Sequence, residues 1–160
     1  MAPPPRPVNE RGFRRLYRFM KSKELLKLCI YGDPRTKKNC SSIYINKATE
    51  KRFVTPSTRY KAYEAEFKAQ VEQVKSMPEN PIDVPVEVKV IFYMKTRRKV
   101  DLTNLLEATD DALVASGVLL DDCCRIVVSH DGSRVMYDKE KPRAEITISQ
   151  IIDFHDPFKK

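Results

Sequence analysis

The spacing of apolar residues changes between residues 83 and 117, and this change restricts the fold more than any other feature of the sequence. In DVPVEVKVIFYM, residues 83–94, valines alternate with other residues before the run becomes fully apolar, as in a well-packed strand. Residues 103–115 follow the period of a helix instead. In a chain of 160 residues, about the size of one domain, the pattern predicts a single domain that contains strands and two main helices.

The helix predicted over residues 103–115 has an apolar side and a polar side. The apolar side carries Leu102, Leu105, Leu106, Thr109, Ala112 and Leu113. The polar side carries Thr103, Asn104, Glu107, Asp110 and Asp111. Gly117 is predicted to end the helix, because glycine commonly follows a helix C-terminus.

Shorter patterns predict the remaining elements. LLKLCIYGDP, beginning at residue 25, is predicted to form a first strand, which joins SSIYIN and KRFVTP in a β-meander. Another amphipathic helix, over residues 58–76, is predicted to be capped by Ser57 or Thr58. Its apolar face consists of Tyr60, Tyr63, Phe67, Val71 and Val74. Beyond residue 117, apolar and alternating segments predict two more strands, and Asp131-Gly132 predicts a hairpin turn.

The ends of the chain differ in composition from its middle. Residues 1–24 hold four of the eleven prolines and many basic residues, and they predict a basic arm that is disordered or ordered only on binding. We expect a folded domain over residues 25–152 and a tail over 153–160. No apolar run approaches the roughly 18 residues of a membrane span, and the start lacks a secretory apolar core. We therefore expect a cytoplasmic protein with no membrane partner and with free thiols at Cys29, Cys40, Cys123 and Cys124.

The net charge of +8 and the sequence pI of about 9.3 fit a polyanionic partner. Charge alone does not distinguish a protein that binds nucleic acid from a basic protein without a specific ligand. A stronger indication is the group of carboxylates between residues 99 and 122, which comprises Asp101, Glu107, Asp111, Asp121 and Asp122. Converging carboxylates raise one another's pKa unless a cation compensates them, and Mg²⁺ prefers such oxygen ligands. Because Lys95, Arg97, Arg98 and Lys99 lie beside them, the pattern favours metal-dependent phosphodiester hydrolysis.

Structural explanations of the same residues remain open at this point. Asp101 is also a typical helix cap, Glu107 with Asp110 or Asp111 a typical solvated helix face, and Asp121-Asp122 a typical turn. Glu87 and Lys89 form an E-x-K that some nucleases use, but strand alternation favours a solvent-facing position for both. For His130 and His155 we expect surface or turn positions. The helical spacing of Tyr60, Tyr63 and Phe67 favours core packing over base stacking.

The stretch from Lys99 to Asp122 resembles the signature of RusA-type Holliday junction resolvases. Asp101-Leu102-Thr103-Asn104-Leu105, Asp111-Ala112-Leu113, Gly117 and Asp121-Asp122 follow that signature in register. Weaker similarity in IYGDPRTKKN, TPSTRYKAYE and KPRAEITI extends the resemblance to about residues 26–149. The sequence departs from the signature at Thr103, where the family usually has a second aspartate, and at Glu107, where it usually has a lysine directed at DNA.

The resemblance implies an α/β (α+β) fold with a mixed β-sheet. It also implies a homodimeric endodeoxyribonuclease that depends on Mg²⁺ or Mn²⁺, acts in recombination or repair, and makes paired cuts in four-way DNA junctions. It implies Asp101 and Asp122 as metal ligands. We add Glu107 as a ligand that replaces the carboxylate missing at Thr103, with Asp121 as a secondary ligand and Asp111 as a further catalytic candidate. The predicted DNA-binding residues are Arg35, Lys37, Lys38, Lys95, Arg97, Arg98 and Lys99. For this nuclease we expect a phage or prophage origin. The alternative is a branched-DNA-binding protein of the same fold that has lost cleavage.

Overall fold

One mixed β-sheet and two helices make up most of the described chain. The computed structural model describes residues 21–37, 41–45 and 52–156, and of residues 41–45 and 52–56 it describes the backbone. The strands are β1 (Ser22–Tyr31), β2 (Ser41–Ile45), β3 (Arg52–Pro56), β4 (Val86–Met94), β5 (Val127–Ser129), β6 (Arg134–Tyr137) and β7 (Arg143–Ile151). The helices are α1 (Thr58–Glu72) and α2 (Leu102–Ala115). The predicted α+β class with a mixed sheet is confirmed.

The main sheet has the order β1-β7-β4-β5, with β6 also paired to β4. β7 pairs antiparallel with both β1 and β4, whereas β5 and β6 pair parallel with β4. Since α2 connects β4 to the parallel strand β5, these three elements form a crossover unit. The change of apolar period seen in the sequence corresponds to the first two elements of this unit.

Three expectations about strand pairing were wrong. β1 does not join a meander: it pairs with β7, while β2 and β3 form a separate two-stranded sheet. Three strands, not two, follow α2. The Asp131-Gly132 turn exists, with Gly132 at a φ of 75°, but the strands on either side of it do not pair as a hairpin. They lie one after the other along β4, because both meet the same edge of that strand.

Helix α1 confirms the predicted cap and core face. The Ser57 hydroxyl accepts a hydrogen bond from the Tyr60 backbone N–H at 3.2 Å, which makes Ser57 the N-cap. The buried residues of the helix are Tyr60, Tyr63, Phe67 and Val71. The aromatic residues therefore pack in the core and are not available for base stacking.

Helix α2 begins at Leu102 and is followed by Gly117, whose φ of 73° confirms the predicted glycine stop. Its buried side is wider than predicted. Ala108 and Asp110 are buried along with Leu105, Thr109, Ala112 and Leu113. The assignment of Asp110 to the solvated side was therefore wrong, because its carboxylate contacts the ring of His130.

The domain boundaries are only partly visible in the structure. β1 begins at Ser22, three residues before the predicted strand and within the predicted arm. The rest of the arm, up to residue 20, and residues 157–160 of the tail lie outside the described residues.

Candidate functional site

Asp101 caps helix α2. Its Oδ1 accepts hydrogen bonds from the Thr103 backbone N–H at 3.0 Å and from the Thr103 hydroxyl at 2.7 Å. The predicted cap role is therefore confirmed. Asp101 and Thr103 are both exposed at the end of the basic loop 95–99, so the cap position also presents the carboxylate to solvent.

Lys37 joins the loop after β1 to the middle of α2. Its Nζ donates to Asp111 Oδ2 at 3.1 Å. The hydrogen bond and charge of Asp111 raise the pKa of Lys37 above its usual value, with smaller contributions from Glu64 and Glu107. Burial followed by the charges of Glu64, Asp111 and Glu107 raises the pKa of Tyr60 to about 12. The charges of Glu107 and Asp111 on α2 and of Glu64 on α1 therefore act on the same two side chains, those of Lys37 and Tyr60.

Asp121 and Asp122 follow the turn out of α2 and are exposed. The Asp122 backbone N–H donates to Asp121 Oδ1 at 2.9 Å. Partial burial of the carboxylate raises the pKa of Asp122, a hydrogen bond from backbone opposes this, and the charges of Asp121, Asp111 and Asp110 raise it further. Of the predicted site residues, Asp111 and Asp121 therefore lie near enough to Asp122 for their charges to affect it.

The two basic loops are held together by Asp33. Its carboxylate accepts from the Lys95 backbone N–H at 3.0 Å, and it forms ion pairs with Arg35 at 2.9 Å and with Arg98 at 3.9 Å. Arg98 also donates to the Pro34 carbonyl at 3.3 Å. Sequence reasoning missed Asp33, whose position between a glycine and a proline is typical of an ordinary turn.

The remaining predicted DNA-binding residues are exposed or undescribed. Lys95, Arg97 and Lys99 are exposed, and the Arg97 guanidinium lies 4.6 Å from the centre of the Tyr137 ring. Lys38 lies outside the described residues, as does Cys40. The free thiols predicted at Cys29, Cys123 and Cys124 are confirmed.

The described ranges do not contain a group of three or more His, Cys, Asp or Glu side chains arranged to hold a metal ion. The predicted ligands Asp101, Glu107, Asp121 and Asp122 do not form such a set. Asp101 follows β4 and caps the start of α2, whereas Asp121 and Asp122 follow the end of α2 and precede β5, whose Val127 pairs with Val86 at the start of β4. Two of them are already engaged: Asp101 with the backbone of α2 and Asp121 with the backbone of Asp122.

His130 is the main feature that sequence reasoning missed. Its Nδ1 lies 2.8 Å from the Val88 carbonyl oxygen, and its Nε2 lies 2.9 Å from Asp110 Oδ2. The expected surface or turn role was wrong, because the half-buried ring bridges α2 and β4. No periodic signal identifies it, since Asp110 and His130 are twenty residues apart and belong to different elements.

The other interpretations of single residues are confirmed. Glu87 and Lys89 lie on the partly exposed side of β4, opposite the buried Val86, Val88 and Val90. His155 is exposed. Within residues 21–37, 41–45 and 52–156, neither helix has the length and hydrophobicity that crossing a bilayer requires.

Comparison with known proteins identifies the family. The family model described as Endodeoxyribonuclease RusA matches residues 32–149, which include the candidate residues from Arg35 to Asp122. No curated protein matches the sequence significantly. Since the match spans well over half of the 160 residues, the chain belongs to the RusA endodeoxyribonuclease family.

Proposed function

We propose that this protein is a metal-dependent endodeoxyribonuclease that resolves Holliday junctions or other branched DNA by paired phosphodiester hydrolysis in recombination or repair. Family membership supports the reaction class. One contact supports the site assignment: Lys37, in the loop after β1, pairs with Asp111 on α2. Asp33 holds that loop against the basic loop 95–99, which leads to Asp101.

The donor chemistry of this group fits a hard divalent cation such as Mg²⁺ or Mn²⁺. Burial and then the charges of neighbouring aspartates raise the pKa of Asp122, and a bound cation would favour its ionised form. Mg²⁺ is commonly held by one or two carboxylates together with substrate phosphate, so a complete protein cage is not required before DNA binds. We assign Asp101 and Asp122 as the principal ligands, with Glu107 and Asp121 in support. When bound, the ion would supply Lewis-acid stabilisation of charge on the phosphate.

The protein's own side chains would bind and orient the DNA. Arg35 and Arg98 share the carboxylate of Asp33, which fixes both guanidinium groups on one surface. Lys95, Arg97 and Lys99 are exposed around them and can meet further phosphates. This arrangement would place the DNA backbone against the N-terminal end of α2, where Asp101 is located.

A homodimer would explain paired cutting. A twofold axis relates two identical sites, and a four-way junction presents two symmetry-related strands to them. We therefore expect two chains per junction, which analytical ultracentrifugation of the protein alone and with DNA would measure.

A second candidate function is branched-DNA binding without efficient cleavage. The contact that favours it is the Thr103 hydroxyl, which donates to Asp101 Oδ1 at 2.7 Å. At the position where the family usually has a second carboxylate, this chain has Thr103, whose hydroxyl is hydrogen-bonded to Asp101 Oδ1. Glu107 would have to supply the missing charge for cleavage to be efficient.

The deciding experiment compares wild type with Asp101→Asn on a four-way junction and on a linear duplex of matched sequence. An enzyme nicks the junction in the presence of Mg²⁺, and the variant binds the junction but does not cut it. Wild type that binds the junction selectively without cutting would establish the second function. Equal affinity for the junction and the duplex would overturn both.

The role of Glu107 is tested separately with Glu107→Gln. We expect weaker metal binding and slower cleavage, since the variant keeps the shape of the side chain and removes its charge. Unchanged metal affinity and unchanged cleavage would remove Glu107 from the site.

A further inference from the structure

The ring of His130 is held at both nitrogens by acceptors. Nδ1 faces the Val88 carbonyl oxygen at 2.8 Å and Nε2 faces Asp110 Oδ2 at 2.9 Å. Neither a carbonyl nor a carboxylate can donate, so both nitrogens must carry protons for both contacts to be hydrogen bonds. With Asp110 ionised, the geometry favours an imidazolium, and the contact between His130 and Asp110 is then an ion pair.

Asp110 depends on this ion pair. The residue is 8% exposed, and its Oδ1 is buried without a hydrogen-bond partner in the described part of the chain. A buried carboxylate is strongly disfavoured unless it is paired. His130 is the cation that the described structure places against it, which explains how an aspartate can lie on the core side of α2.

The charged groups near the pair lie on α2 and in the loop after it, where the charges of Asp110 and Asp122 act on each other. β4 contributes a neutral carbonyl. Asp110 faces the ring from α2, and the backbone of Val88 faces it from β4. Glu87 and Lys89 alternate with the buried valines of β4 and so lie on the other side of the sheet. Burial opposes charging of His130, but the hydrogen bond and charge of Asp110, helped by the Val88 carbonyl, raise its pKa above the usual histidine value.

We propose that Asp110 and His130 are positioning residues of the candidate site, and that their ion pair fixes the depth of α2 against β4. The same helix carries Asp101 at its N-cap and Glu107 and Asp111 along its exposed side. Asp110 also contributes to the charge around Asp122. The effect on cleavage rests on the proposed function, whereas the ion pair can be measured without it.

The ion pair is tested by ¹⁵N NMR of the histidine rings in the full-length, metal-free protein. In wild type, both ring nitrogens of His130 should remain protonated to a higher pH than in Asp110→Asn. The asparagine keeps the side-chain shape and can donate to an unprotonated Nε2, so the variant should fold while the charge is lost. His155, the other histidine of the chain, is exposed, and its signals should be the same in both proteins.

Asp131→Asn is the matched control, because it removes an exposed carboxylate next to His130 in sequence. It should leave the His130 signals as in wild type. A neutral His130 ring in wild type near pH 7, or a titration that Asp110→Asn leaves unchanged, would overturn the ion pair.

The positioning role is tested by the kinetics of junction cleavage. Asp110→Asn and His130→Gln should lower kcat by about ten- to a hundredfold, the range typical of residues that orient site ligands, with little change in KM. Asp131→Asn should cleave like wild type. Circular dichroism confirms that each variant is folded.

The outcomes separate this inference from the proposed function. If wild type cuts junctions and both folded variants cut at the wild-type rate, the positioning role fails and the proposed function stands. If wild type cuts no branched DNA, the proposed function fails and the proposed effect on cleavage fails with it, while the NMR experiment still decides whether the ion pair exists.

Discussion

Asp101 is the N-cap of α2 and a proposed metal ligand, and two substitutions separate these two roles. Asparagine caps a helix about as well as aspartate, whereas alanine removes the acceptor and costs about 1 kcal/mol of unfolding free energy. The acceptor that alanine removes is Asp101 Oδ1, to which the Thr103 backbone N–H donates at 3.0 Å. Loss of charge at the helix N-terminus costs both variants a further ~0.3–1 kcal/mol.

These magnitudes predict an order of stability. In a chain of 160 residues, 1 kcal/mol corresponds to roughly 2–4 °C in Tm. Asp101→Ala should therefore melt about 2–4 °C below Asp101→Asn, as measured by circular dichroism. Both variants should nevertheless lose junction cleavage, because neither retains a carboxylate.

Ser57→Ala is the matched control for this comparison. Ser57 caps α1 through an N–H contact of 3.2 Å, so its loss should cost a similar ~1 kcal/mol and leave cleavage intact. Full cleavage by Asp101→Asn would refute the ligand role and leave Asp101 as a cap. Equal melting temperatures for the asparagine and alanine variants would refute the cap energetics.

Four further predictions concern stability and binding. Gly117→Ala should cost about 1–2 kcal/mol, because a side chain is strained at a φ of 73° even though nothing lies within 4 Å; urea denaturation measures it. Phe67→Ala should cost about 3–5 kcal/mol in the same assay, since Phe67 is 0% exposed in the core. His130 has a higher pKa in the folded protein than in the unfolded one, so its charged form stabilises the fold most below about pH 6.5. This contribution should be lost as pH rises through the folded-state pKa. Urea midpoints measured across this range should therefore decline in wild type and not in Asp110→Asn. Lys37→Met should weaken junction binding and lower the slope of log affinity against log salt by about 1, and an unchanged slope would show that Lys37 does not contact a DNA phosphate.

The elements that could be predicted from sequence are those in which the spacing of apolar residues shows which side is buried. β4 shows its buried valines at every second position, and α1 shows its buried aromatics at helical spacing. Each pattern is local, because one sheet face or one helix stripe meets the core. The ends of α2 were predictable for a similar reason, since Asp101 and Gly117 act on the backbone next to them.

Pairing between distant segments was not predictable in the same way. β1 pairs with β7, and Leu28 lies opposite Ile146 across more than a hundred residues of sequence. The alternation in β1 indicates that one of its sides is buried, but it carries no information about the neighbouring strand. The turn at Asp131-Gly132 misled for a related reason: turn chemistry determines the local backbone, while β4 determines where the strands on either side are placed.

Asp110 shows why the site could be predicted only in part. A helical wheel sorts residues by polarity, and a carboxylate falls on the solvated side whatever its partner is. Burial becomes favourable when a cation from another element neutralises it, as His130 does across the contact between α2 and β4. The sequence shows that an aspartate and a histidine are present but not that their side chains lie close together in the fold.

The carboxylates that first suggested one metal site prove to have different surroundings. Asp101 caps a helix, Asp110 pairs with His130, and Asp111 pairs with Lys37. Each of these contacts offsets negative charge locally, so the density of acids in the sequence overstates the charge left for an ion. At Asp122 the balance differs, because partial burial and three neighbouring aspartates raise its pKa despite its backbone hydrogen bond. Under the proposed function, a divalent cation bound there would favour the ionised form of Asp122.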